Sequence, residues 1–194
     1  MTVQTQSPQT YGVWQDETAV SGAYACMELN AAHLSEHWRR NSLSSDFWAY
    51  YAAQSVETAV PDGLLPKNIV QDILSYLLNE LFENCAKFSS GPNLDICYQS
   101  WIQKESMVIQ VTNHIQPDKQ AAFVEIIEEI LTGDVDELYF QKLEDNAEND
   151  FEGSGLGYLT LIKDYGIQFG FRFRPQNSTN TAVDVQAHVS MKEN

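Results

Sequence analysis

Basic side chains are scarce in this chain: 11 Lys and Arg face 27 Asp and Glu, for a formal net charge of −16. Nucleic acids and anionic membranes are bound first through clustered cations that release counterions, so a chain this acidic is expected to bind neither. That leaves a protein or a small molecule as partner. Long apolar runs are lacking too: no stretch of about eighteen apolar residues occurs. The start Met1–Pro8 has neither the basic nor the apolar region of a signal peptide, and a cytoplasmic protein is expected. Cysteine is limited to Cys26, Cys85 and Cys97, an odd set without metal-ligand spacing in mainly apolar surroundings, which reads as reduced, partly buried thiols. No internal repeat is visible.

What is present is the composition of an ordinary globular domain, 43% hydrophobic and 11% aromatic, large enough for one core. Residues 1–20 show no sustained period and read as a loose arm or an edge segment, with 21–194 as a single domain. Ala31–Trp38 suggests a helix, and the Ser-rich break at Ser42–Ser45 can cap a second one over Asp46–Val56. After Pro66, the residues Ile69, Ile73, Leu77, Leu81, Cys85 and Phe88 form an apolar stripe at helical spacing. Two strands follow, Leu94–Gln103 and Ser106–Ile115. A helix opens at Pro117 and stops near Gly133, a shorter one spans Val135–Leu143, and Glu144–Glu152 reads as an acidic loop. Another helix is expected over Leu156–Tyr165. The alternating Phe169, Phe171 and Phe173, a turn at Asn177–Asn180, and the alternating Val183, Val185, Ala187 and Val189 predict a closing hairpin. The order predicts an α+β fold, a two-layer sandwich of helices over a mixed, largely antiparallel sheet.

The most informative stretch is Gly153-Ser154-Gly155-Leu156-Gly157, which runs directly into the apolar pattern after it. Glycines at alternate positions allow positive φ and a close backbone approach to an anion, and the first N–H groups of a helix point at such a ligand. Upstream, Glu80, Asn84 and Lys87 fall within about 60° of arc on one helix face, at the border of its apolar stripe. A carboxylate there can orient or deprotonate a hydroxyl, an amide oxygen can ligate Mg²⁺, and an ammonium can neutralise phosphate charge.

This pair of motifs resembles the GHKL superfamily of histidine kinase-like ATPases, and within it the SiaB-like and anti-sigma-factor serine kinases. Asn79–Ser89 is similar to the family's N box, and Gly153–Lys163 to its second glycine box. The resemblance implies a Bergerat-like domain that binds ATP or ADP with Mg²⁺. Glu80 would be the catalytic base, Asn84 the Mg²⁺ ligand and Lys87 a phosphate contact. Gly153, Ser154, Gly155, Leu156 and Gly157 would cradle the phosphates. Asn113 stands where the family has its adenine-reading Asp, and the glycines of that box are replaced by the run His114-Ile115-Gln116. An Asn carbonyl can accept the adenine amino proton but lacks the charge of Asp.

The implied function is a regulatory serine/threonine kinase acting on a small partner-switch protein. The alternative is a non-catalytic module that holds ADP, ATP or a flavin dinucleotide and signals to a protein partner. A homodimer is expected, with the aromatic cluster Trp38, Phe47, Trp48, Tyr50 and Tyr51 as core or interface. His33 and His37 are four apart but lack a third ligand and read as exposed or capping imidazoles. The eleven acids of Glu125–Glu152, against one Lys, read as a solvated face and loop, or as a docking surface or flap beside the glycine turn.

Overall fold

A computed structural model of the chain describes residues 7–16, 22–30, 38–59, 65–91, 94–103, 105–148 and 155–192. Six strands form one sheet: β1 (Gln9–Gly12), β2 (Ala23–Asn30), β3 (Asp95–Ile102), β4 (Ser106–Ile115), β5 (Gln168–Pro175) and β6 (Thr181–Ser190). Their order is β1-β5-β6-β4-β3-β2, and every pairing is antiparallel. The helices are α1 (Trp38–Ala59), α2 (Lys67–Phe88), α3 (Gln120–Thr132), α4 (Val135–Glu148) and α5 (Leu156–Tyr165). The result is an α+β sandwich. Among the described residues no helix is long and apolar enough to cross a membrane.

The hairpins β3–β4 and β5–β6 join because β4 pairs with β6 along its whole length, from Ser106↔Ser190 to Ile115↔Thr181. This register puts Met107, Ile109, Val111 and Asn113 on the same face as Val183, Val185, Ala187 and Val189, the face the helices cover. Leu74, Leu77, Leu78 and Phe82 of α2 are fully buried against it. Each such side chain contributes about 1.5–3 kcal/mol on leaving water, so this helix is fixed by its stripe. Its last turn closes with the Ser89 N–H donating to the Cys85 carbonyl.

Four local readings change. A single helix, α1, runs through Ser42–Ser45 without the expected break. Packing overrides the serine propensity there: Ser45, Ala49, Ala52 and Ala53 are buried. The Glu144–Glu148 part of the expected loop belongs to α4. Strand β2, which the sequence reading missed, sends Met27 and Leu29 to the core and Tyr24, Cys26 and Glu28 outward. Cys26 is exposed, not partly buried, while Cys85 is buried and Cys97 intermediate. Residues 9–12, expected as arm or edge segment, form the edge strand beside β5. The histidines His33 and His37 and the side chain of Trp38 lie outside the described residues.

The outer face of the sheet carries its own polar core. Asp184 on β6 is fully buried, and its carboxylate accepts from Thr112 Oγ1 at 2.8 Å, Arg172 Nε at 2.9 Å, Arg174 Nε at 2.6 Å and Arg174 Nη2 at 2.7 Å. Burial pushes this carboxyl up, but the hydrogen bonds and charge of Arg174, with Thr112 and Arg172, outweigh it and hold the group below the usual range. Its contribution to stability is therefore complete above the unfolded carboxyl range and is lost as pH falls through the lowered folded value. Asp184→Asn keeps the size and removes the charge. It is expected to cost about 1.5–3 kcal/mol at neutral pH, with a smaller difference from wild type in urea titrations as the pH approaches 2.

Candidate functional site

Beside α2, between α3 and α5 on the helix-covered face, lies a cavity of about 590 Å³. Its floor is the inner face of β4 and β6, with Val111, Asn113, Ile115, Val183 and Val185. Its walls come from α2 (Glu80, Asn84, Lys87), α3 (Phe123, Ile126) and the start of α5 (Gly155, Leu156, Gly157). The structure thus brings together on one cavity every described residue that the sequence reading singled out for the site. Gly153 and Ser154 lie outside the described residues.

Gly155 caps α5 in the left-handed region, with φ of 72°, a conformation that disfavours any residue with a Cβ. A side chain there would also press on Ile130 and Ile126 of α3. The first bond of the helix runs from Leu159 N–H to the Gly155 carbonyl, so the preceding N–H groups are not used by the helix ladder. Gly157 has a different constraint. A Cβ there would stand 2.0 Å from Oε2 of Glu80, so the glycine leaves room for that carboxylate at the N-terminus of α5. A negative charge is favoured at that end of a helix.

Glu80 is partly buried. Desolvation pushes its carboxyl above the usual range and the neighbouring Glu83 adds to this, while the Tyr76 hydroxyl pulls the other way. A carboxylate raised towards neutrality is suited to take and return a proton. Tyr158, the second side chain of α5 after Gly157, is buried beneath the site. Its ring packs edge-on against Phe169 at 5.0 Å and Phe171 at 5.6 Å. Burial drives its hydroxyl far above the ordinary range, against a hydrogen bond with Asn84. That hydroxyl is the neighbour of the Asn84 amide on the α5 side. Asn113 is only 7% exposed. Its Oδ1 accepts from the His114 N–H at 2.8 Å and its Nδ2 donates to the Cys85 carbonyl at 3.4 Å, which fixes the amide plane at the edge of the cavity floor. Lys87 is exposed, with its ammonium 5.5 Å from the Phe88 ring centroid.

Among the lining residues that escaped the sequence reading, four carry polar groups: Tyr76, Tyr158, Thr160 and Lys119. Tyr76 lies one helical turn before Glu80, and that spacing could have marked it. Lys119 is a second cation on the rim, and the scarcity of basic residues made it conspicuous. The link from Tyr158 to Asn84 needed the packing of α5 on α2, which spacing does not carry.

Fold and cavity define a class: an α+β domain with a helix-walled cleft over an antiparallel sheet. No protein-family model matches the chain, and no curated protein matches it. Among solved structures, the chain is similar to a chain of the SiaB–SiaC complex from Pseudomonas aeruginosa, with a TM-score of 0.58 at 14% identity, over 85% of this chain and 89% of that one. The two share a fold.

Proposed function

We propose that this protein is an ATP-binding regulator of the GHKL type that transfers a phosphoryl group to a Ser or Thr of a small partner-switch protein in the cytoplasm. The observation that carries the reading is convergence. Residues from three separated segments, chosen for phosphate, Mg²⁺ and base chemistry, line one cavity of a size that ligand sites have, about 300–1,000 Å³. The apolar floor suits a purine and Asn113 its amino group. Asn84 would hold Mg²⁺, which when bound would supply charge neutralisation to the phosphates. Lys87 and the N-terminus of α5 would face the phosphates, and the resemblance assigns Gly153 and Ser154, just before it in sequence, to the same cradle. Glu80 accepts the proton of the incoming hydroxyl. A protein partner is supported by the shared fold, since the related chain was solved as a SiaB–SiaC complex.

The same reading includes a homodimer. Helix α1 exposes Leu43 (68%), Phe47 (59%), Tyr50 (52%) and Tyr51 (48%) at helical spacing, an apolar stripe with the Lys67 ammonium 5.8 Å from the Tyr50 ring centroid. A second copy of the chain would cover it.

Calorimetry and light scattering on one preparation test both parts. ADP and ATP are expected to bind only with Mg²⁺ present, and the mass should stand near twice 22.0 kDa. Absence of nucleotide binding would sink the assignment. A yellow preparation that consumes no ATP would move it to the module that holds a flavin dinucleotide. A mass near 22.0 kDa would remove the dimer alone.

A further inference from the structure

We infer that Cys26 and Cys97 are a modification site: a thiol pair on the outer face of the sheet that closes into an intramolecular disulfide when a peroxide reaches it. In the β2–β3 register Cys26 stands opposite Gln99 and Glu28 opposite Cys97, so the two cysteines are diagonal neighbours on one face. Their sulfurs are 3.9 Å apart. A disulfide bond is about 2.05 Å long, so the sulfurs must approach by roughly 2 Å, within reach of side-chain rotation and small shifts of an edge strand. Strand β2 is such an edge, paired on one side only, with β3.

Access and surroundings favour this pair. Cys26 is exposed and Cys97 intermediate, whereas Cys85, the third cysteine, is buried on α2 at the other face of the sheet. Burial pushes the Cys85 thiol up to about 12, which removes its thiolate from competition. The wall beside the pair is held in place. The Tyr24 ring packs on Trp101 with centroids 5.5 Å apart, and the Tyr24 hydroxyl accepts from Gln99 Nε2 at 3.1 Å. Gln99 in turn accepts from Gln110 at 3.1 Å, and Gln110 from Gln186 at 2.9 Å. This row of amides holds the β3 side of the pair, and the exposed Cys26 is the movable partner.

The chemistry balances with hydrogen peroxide as oxidant. The Cys26 thiolate attacks one peroxide oxygen; the S–O bond forms, the O–O bond breaks, and the leaving hydroxide takes a proton to become water. Cys97 sulfur then attacks the Cys26 sulfenic acid, the S–S bond forms, and the S–O oxygen leaves as a second water. Two thiols and one peroxide become one disulfide and two waters. In a reducing compartment such a bond is transient, and a dithiol reductant returns both thiols. While it lasts, the edge strand β2 is tied covalently to β3.

The test uses the full chain, reduced, exposed to hydrogen peroxide under native conditions, alkylated, and weighed intact. Apart from the alkyl groups, the monomer is expected to lose about 2 Da, with alkylatable thiols falling from three to one after unfolding. A peptide map should join the segments that hold Cys26 and Cys97, and dithiothreitol should restore all three. Cys26→Ser and Cys97→Ser should each abolish the mass loss. Recovery of Cys26 as sulfinic acid, or as a disulfide between two chains, with Cys97 still alkylatable, would overturn the inference.

Discussion

Glu80→Gln is expected to leave Mg²⁺-dependent nucleotide binding intact and to lower phosphoryl transfer to the partner by roughly 10²–10⁴-fold. The substitution keeps the size and one acceptor oxygen but removes the proton acceptor. Its carboxylate is the one that Gly157 admits to the start of α5 and that burial shifts upward. Because the folded pKa is raised, wild-type transfer should increase with pH through a range above that of ordinary carboxylates as Glu80 ionises. In the variant that limb disappears. Mass spectrometry of the partner, with calorimetry in parallel, gives both readouts. Equal phosphorylation by the two proteins would remove Glu80 from the role of base. None by either, with nucleotide held, would leave a sensor without turnover.

The second large effect belongs to Gly157→Ala. Alanine is a better helix former than glycine by about 1 kcal/mol, and Gly157 sits in the first turn of α5, so the fold should persist. The added Cβ falls 2.0 Å from Glu80 Oε2 and displaces that carboxylate towards the cavity. On the proposed reading it also narrows the approach of a phosphate to the helix N-terminus. Loss of two amide bonds to a charged ligand, each about 1.5–3 kcal/mol, predicts at least a roughly 10²-fold fall in ADP affinity. Circular dichroism separates this from unfolding: a native spectrum with unchanged affinity would take the α5 turn out of the site.

Much of the architecture was legible because it rests on periods. The stripe of α2, the alternating phenylalanines of β5 and the valines of β6 declare their faces directly, and Gly155 and Gly157 declare a turn that other residues would strain or block. What was not legible depends on partners far along the chain. Strand β2 carries apolar residues on both faces, Ala23, Ala25, Met27 and Leu29 inward and Tyr24 and Cys26 outward, so its alternation is weak until β3 is placed beside it. The serines of α1 read as a break because propensity knows nothing of the α1–α2 packing that buries Ser45. Arg172 and Arg174 alternate with the phenylalanines and so face outward, but nothing local places Asp184 between them. In the site, Glu80, Asn84 and Lys87 follow from helical spacing, whereas the contact between Tyr158 and Asn84 exists only once α5 lies against α2.

Of the described strands, β1 holds one edge of the sheet and β2, the next in sequence, holds the opposite edge. After β1 the chain turns onto the outer face, where the Gln15 N–H donates to Gln186 Oε1 at 3.0 Å and Gln186 Nε2 donates back to the Gln15 carbonyl at 2.8 Å, across 171 positions of sequence. The Trp14 ring covers the Arg172 guanidinium beside it. A chain growing from its N-terminus therefore makes β1 long before β5 and β6 exist to receive it. Closure over such a span costs loop entropy before any contact offsets it. Order of synthesis and order of assembly run in opposite directions at this edge: β1 is made before the other described strands and is secured only once β5, far along the chain, has been made.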